Sequence, residues 1–131
     1  MFRLDHIALR VSDMDASIAF YTEKLGLPLV SDQVDPAHHE RFAFLELEGG
    51  NIELLQVLDE NNAPAAYTPP EPDTALCPHV AITTPDLAVA AMRLERQGVR
   101  IAKGPLEIAG QVRWLYALDP DGNVLEFIQW L

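Results

Sequence analysis

Basic residues are scarce in this chain: 9 lysines and arginines stand against 20 aspartates and glutamates, a formal charge of −11. A surface that negative repels phosphate backbones and anionic lipid headgroups, so the expectation is no nucleic-acid partner and no membrane partner. Cysteine is almost absent. The lone Cys77 cannot close an intrachain disulfide, which suits a reducing compartment. No apolar run approaches the roughly 20 residues needed to span a bilayer. The opening stretch "MFRLDHIALRV" lacks the basic region, apolar core and cleavage site of a signal peptide. The expected setting is therefore cytoplasmic.

What remains is a chain of 131 residues, 49% hydrophobic, enough for one globular domain with a sizeable core. "LDHIALRV" is short and β-rich and predicts a strand. "SDMDASIAFYTEKLGL" predicts a helix, with Ser12 as N-cap, apolar residues at helical spacing and Gly26 as the stop. "PLVSDQV", "RFAFLELE" and "IELLQVL" predict three further strands, the last two joined by a glycine turn. A polar, proline-rich stretch follows. Then "HVAITT" predicts a strand, Asp86 caps a helix that ends at Gly98, and "VRIAKGP", "QVRWLYALD" and "VLEFIQWL" predict three strands. The pattern is βαβββ twice. The expected organisation is one domain over 1–131, with module one at 1–58, a linker at 59–78 and module two at 79–131.

The two halves also share polar residues. Seventy-three positions separate His6 from His79, and the same 73 separate Glu53 from Glu126. Common secondary structure accounts for matched apolar positions, but not for an ionisable His and an ionisable Glu recurring inside apolar strands. Side chains alternate faces along a strand, so His6 shares a face with Ala8 and Arg10, and Glu53 stands opposite Ile52, Leu54 and Gln56. Each of the four strands thus has one face suited to a helix and one carrying a His or Glu. A lone strand histidine is usually a hydrogen-bonded rim residue, and a lone terminal glutamate is usually solvated. In matched pairs they form instead a mixed nitrogen and oxygen donor set for a divalent metal, whose charge offsets the desolvation of the carboxylates.

The stretches "LDHIALRVSDMDASIAFYTEKLGL", "GGNIELLQV", "PHVAIT" and "LDPDGNVLEFIQ" resemble the vicinal oxygen chelate superfamily. Its members include glyoxalase I, methylmalonyl-CoA epimerase, fosfomycin- and bleomycin-resistance proteins and extradiol dioxygenases. The resemblance covers nearly the whole chain apart from the proline-rich stretch. It implies an α+β fold of two βαβββ modules whose curved mixed sheets form a metal-binding cup, usually in a homodimer. It also implies that His6, Glu53, His79 and Glu126 are the metal ligands, holding a divalent ion of the Ni, Co, Mn, Fe or Zn group.

Members differ in the ligand positions they fill, and the His/Glu/His/Glu set is most similar to the glyoxalase form. The implied activity is that of a metal-dependent lyase or isomerase moving a proton next to a metal-bound carbonyl of a small substrate. Glu126 is the first candidate for the base and Glu53 its mirror. The alternatives are a non-catalytic small-molecule binding or resistance protein, and an extradiol-type dioxygenase. Few basic residues are available for a CoA diphosphate or the carboxylates of glutathione, so a smaller α-hydroxy-carbonyl or vicinal-oxygen metabolite is an equal candidate. Arg10 and Arg113 are candidates for an anionic substrate group. Phe44, Trp114 and Tyr116 are candidates for apolar wall. His38 and His39 are expected in a solvated loop, Cys77 is expected to be chemically idle, and "YTPPEP" is expected to be a spacer.

Overall fold

The computed structural model describes residues 1–131, which divide into two compact units, Met1–Thr68 and Pro69–Leu131. In the first, strand β1 (His6–Arg10) leads into helix α1 (Met14–Ala19), which continues as a π-helical turn, Phe20–Lys24. Strands β2 (Leu29–Asp35), β3 (Glu40–Leu45) and β4 (Asn51–Val57) complete it. The second unit repeats the order with β5 (His79–Thr83), α2 (Leu87–Arg96), β6 (Arg100–Ile108), β7 (Val112–Leu118) and β8 (Val124–Trp130). The sheets run β1-β4-β3-β2 and β5-β8-β7-β6. In each, the first strand is parallel to the last and the others are antiparallel. The fold is α+β, with two mixed four-stranded sheets.

Strand alternation decides what faces where. On one face of β4, Ile52, Leu54 and Gln56 are buried, while Glu53 and Leu55 on the other are only half-buried. Tyr21 and Met14 of the helical segment are buried with Ala43, Leu45, Ile52 and Leu54 in the first core. Leu87 and Leu94 of α2 are buried with Leu115, Ala117 and Leu125 in the second. Burial of each large apolar side chain of this kind contributes about 1.5–3 kcal/mol. Glu53 and Glu126 lie on the opposite face of each sheet, half-buried among apolar neighbours.

The start of α1 departs from the sequence expectation. The cap is Asp13 rather than Ser12: its backbone is extended and its carboxylate accepts from Ala16 N at 3.1 Å. Asp86 caps α2 in the same way through Val89 N at 3.1 Å, so the caps obey the 73-residue spacing. Ser12 instead offers its carbonyl to Gln56 Nε2 at 2.8 Å, and in the second unit Gln129 Oε1 accepts from Leu87 N at 2.9 Å. Gln56 and Gln129 are again 73 apart. They tie the last strand of each unit to the start of its helix.

The glycines that end the helices, Gly26 and Gly98, are only 72 apart and both have positive φ. A π-helical turn accommodates one residue more than an α-helix over the same span. The turn at Phe20–Lys24, with no counterpart in α2, is therefore where the first unit carries its extra residue. The proline-rich stretch is structured at its start. Asp59 Oδ1 accepts from Asn61 N and Ala63 N, Pro64 bridges to Leu58, and Ala65 N donates to Val57 O. Residues 59–68 accordingly belong to the first unit and fold back on the end of β4.

Candidate metal centre

Each unit gathers one histidine and one glutamate. Parallel pairing of β1 with β4 sets Ala8 beside Glu53, and antiparallel pairing of β4 with β3 sets Phe44 on its other side. His6 stands two residues before Ala8 on the same face, and its Nε2 lies 3.7 Å from Glu53 Oε1. The second unit reproduces this: Ala81, Glu126 and Tyr116 form one row, and His79 Nε2 lies 3.3 Å from Glu126 Oε2. Edge-on aromatic rings flank both imidazoles. Phe44 is 5.2 Å from His6 and Tyr116 is 5.3 Å from His79, centroid to centroid. The glutamates are well covered, with side chains 16% and 13% exposed.

The outer ring nitrogens show which atoms are left as donors. His79 Nδ1 lies 2.9 Å from the carbonyl oxygen of Leu76, which can only accept, so Nδ1 carries the proton. His6 Nδ1 lies 2.6 Å from Asp5 Oδ1. In a neutral ring protonated at Nδ1, each Nε2 turns a lone pair toward a carboxylate. Two acceptors facing each other at this range repel unless a proton or a cation stands between them. A borderline divalent metal is bound by just these atoms, imidazole nitrogen and carboxylate oxygen. The donor chemistry fits a metal. Within either unit, no three or more His, Cys, Asp or Glu side chains converge on one point, so each unit by itself supplies two donors.

The other expected residues fall on both sides of the line. Arg10 shares the His6 face, where its Nη2 donates to Ala66 O at 3.1 Å and its guanidinium lies 5.6 Å from the Tyr67 ring centre. Arg113 is on the opposite face from Tyr116 and bonds Glu107 at 3.3 Å, which removes it as a substrate anchor on the His79 face. Trp114 shares the Tyr116 face and pairs with Ile128. His38 bonds Asp35 and holds that carboxyl below the usual carboxylate range, while His39 bonds Asn62. Cys77 is exposed, 3.8 Å from His79 Nδ1.

One charged cluster has no signature in the sequence. Arg41 Nε and Nη2 donate to Asp32 at 3.0 and 2.8 Å, and Nη2 also donates to Asp15 of α1 at 2.9 Å. Asp32 lies across the β2–β3 hairpin and Asp15 in the helix before it, and nothing in "ERFAFL" announces them. The "DPDGN" turn, by contrast, is structural. Asp119 is buried and accepts from Asp121 N, Asn123 N and Asn123 Nδ2, closing the β7–β8 connection that delivers Glu126.

Two copies of one mixed-sheet βαβββ unit, each presenting an imidazole and a carboxylate from its first and last strands, define a duplicated α+β fold. Residues 3–127 match the family described as Glyoxalase/Bleomycin resistance protein/Dioxygenase superfamily, and the chain belongs to that family. It is 30% identical to an ethylmalonyl-CoA/methylmalonyl-CoA epimerase of Cereibacter sphaeroides, over 97% of each chain. It is 32% identical to a lactoylglutathione lyase of Haemophilus influenzae, over 95% of this chain and 90% of that one. Among solved structures, the trypanothione-dependent glyoxalase I of Leishmania major superposes with a TM-score of 0.74 at 26% identity, covering 98% of this chain and 87% of that one.

Proposed function

We propose that His6, Glu53, His79 and Glu126 together hold one divalent ion of the Ni, Co, Mn, Fe or Zn group. The protein is then a lyase or isomerase that moves a proton on the carbon next to a carbonyl of a small substrate. The observation that carries this is the doubled geometry: in each unit an imidazole Nε2 lies 3.3–3.7 Å from a carboxylate oxygen, the two atom types that bind a borderline divalent metal. Relatives named as a lyase and an epimerase support the reaction class.

A divalent ion held there supplies Lewis-acid polarisation of a carbonyl oxygen. The protein's own groups do the rest. Glu126, covered and set between Ala81 and Tyr116, is the carboxylate best placed to take and return a proton, with Glu53 as its mirror. Phe44 and Tyr116 pack edge-on against the two imidazoles. Arg10 is the cation on the His6 face; its counterpart 73 positions on is Thr83, so only one half can hold an anionic substrate group in this way. With a chain charge of −11, that single arginine favours a small hydroxy-carbonyl substrate with one acidic group, alongside hemithioacetal and acyl-thioester candidates. The working form is a homodimer.

Solvent deuterium exchange tests the reaction. Protein reconstituted with each ion is incubated anaerobically in deuterated water with hydroxy-carbonyl, hemithioacetal and acyl-thioester substrates. Metal-dependent exchange at the α-carbon, lost in Glu126→Gln or Glu53→Gln, is the expected result. Oxygen-dependent turnover of a catechol without exchange makes the protein a dioxygenase, and metal binding without any turnover makes it a binding protein.

A further inference from the structure

We propose that Asp5 is a positioning residue: it fixes His6 as the Nδ1–H tautomer and thereby presents Nε2 as the donor beside Glu53. The inference rests on the metal reading above and adds to it a residue outside the four ligands. Asp5 Oδ1 lies 2.6 Å from His6 Nδ1, a short hydrogen bond to a carboxylate. Its own backbone is fixed, since Asp5 O accepts from Asn51 N at 3.0 Å and so ties the residue to the first position of β4. The carboxylate is 90% exposed, so this pair adds little to folding.

The second unit reaches the same end by other means. There the acceptor on His79 Nδ1 is the Leu76 carbonyl, and Leu76 has φ 57°, a left-handed conformation that a bulky residue adopts only where its surroundings impose it. Leu76 N donates to Asp73 O and Ala75 N to Asp73 Oδ1, so the turn holding that carbonyl is itself pinned. A side-chain carboxylate and a left-handed backbone carbonyl share no local sequence pattern. Both engage the same ring nitrogen and leave the same nitrogen facing a glutamate. That coincidence is what outer partners of metal-bound histidines produce: they fix the tautomer and enrich the donor atom. A carboxylate does so more strongly than a carbonyl, which makes His6 the stronger of the two imidazole donors.

The test uses nitrogen-15 spectra of the histidine rings in metal-free protein, together with calorimetric titration of Zn²⁺. Wild type should show Nδ1 protonated in both His6 and His79, whether or not Nε2 carries a second proton. In Asp5→Ala, His6 should shift toward the Nε2–H form while His79 stays unchanged, with Zn²⁺ affinity about 10–100-fold weaker and the melting curve unaltered. Asp5→Asn keeps an acceptor, so it should retain the tautomer and lose less affinity. An Asp5→Ala protein with His6 tautomer and Zn²⁺ affinity both unchanged overturns the proposal. Wild type with the expected tautomers but no Zn²⁺ binding overturns the metal reading, and the positioning role falls with it.

Discussion

At the scale of single residues, the repeat pairs a histidine with a glutamate in each half and also exposes one defect. Ser17 is buried in α1, and its hydroxyl has no hydrogen-bond partner. Seventy-three positions on, α2 carries Ala90, so the second helix does without a hydroxyl there. An unsatisfied buried hydroxyl costs about 1 kcal/mol or more. Ser17→Ala should therefore raise the urea midpoint, by about 1 kcal/mol in stability; a lower midpoint would show that the hydroxyl contributes to the fold. The same 73-residue spacing makes the His6–Glu53 and His79–Glu126 pairs legible in the sequence alone, because ionisable residues do not recur in apolar strands by patterning. The outer partners of the histidines are not legible there. The Leu76 carbonyl reaches His79 only through a left-handed backbone, which no sequence feature of "DTALCP" marks.

Among elements, α1 is fastened to its sheet from two sides. Gln56 reaches the Ser12 carbonyl from β4, and Arg41 links β3 to Asp32 of β2 and Asp15 of α1. Arg41 holds the Asp32 carboxyl below its usual range, and the two aspartates hold the guanidinium further up than usual. A carboxylate with a lowered folded value stabilises the protein above its unfolded pKa of about 3.9, and the contribution disappears as pH falls through the folded value. The clip is partly exposed, so Arg41→Met should cost about 1 kcal/mol near neutral pH. Denaturation at pH 7 and at about pH 2.5 should show that cost shrink in acid; an equal cost at both would assign it to lost packing. Alternation and turn residues make every strand readable. The Asp13 cap is not, because Ser12, Asp13 and Asp15 all offer cap chemistry and only the extended backbone at Asp13 decides among them. The π-helical turn leaves a trace in the sequence, the fall from 73 between caps to 72 between glycines, but a gap does not say what fills it.

At the scale of the whole molecule, much apolar surface is left uncovered. Leu4, Val30, Val34, Ile108 and Trp130 are all between about half and two-thirds exposed, and each four-stranded sheet has two open edges. Uncovered edges and apolar residues of this kind favour association with a second copy. Light scattering at micromolar concentration should give about twice the chain mass of 14.5 kDa; a purely monomeric protein would contradict the homodimer. No helix is long and apolar enough to cross a membrane. The duplicated architecture is legible at this scale because both halves obey the same order. The ordered fold-back at 59–68 is not, since proline and asparagine there read equally well as a spacer.

The central claim is that two His–Glu halves make one metal site, and the stoichiometry of binding tests it most directly. Protein freed of metal is titrated with Ni²⁺, Co²⁺, Mn²⁺, Fe²⁺ and Zn²⁺, and bound ion is measured by elemental analysis in wild type, Glu53→Gln and Glu126→Gln. The prediction is one tightly bound ion per chain for at least one of these metals, with affinity falling tenfold or more in either variant, because each half supplies two of the four donors. No tight binding of any ion, or binding that survives unchanged when one half loses its glutamate, would contradict it.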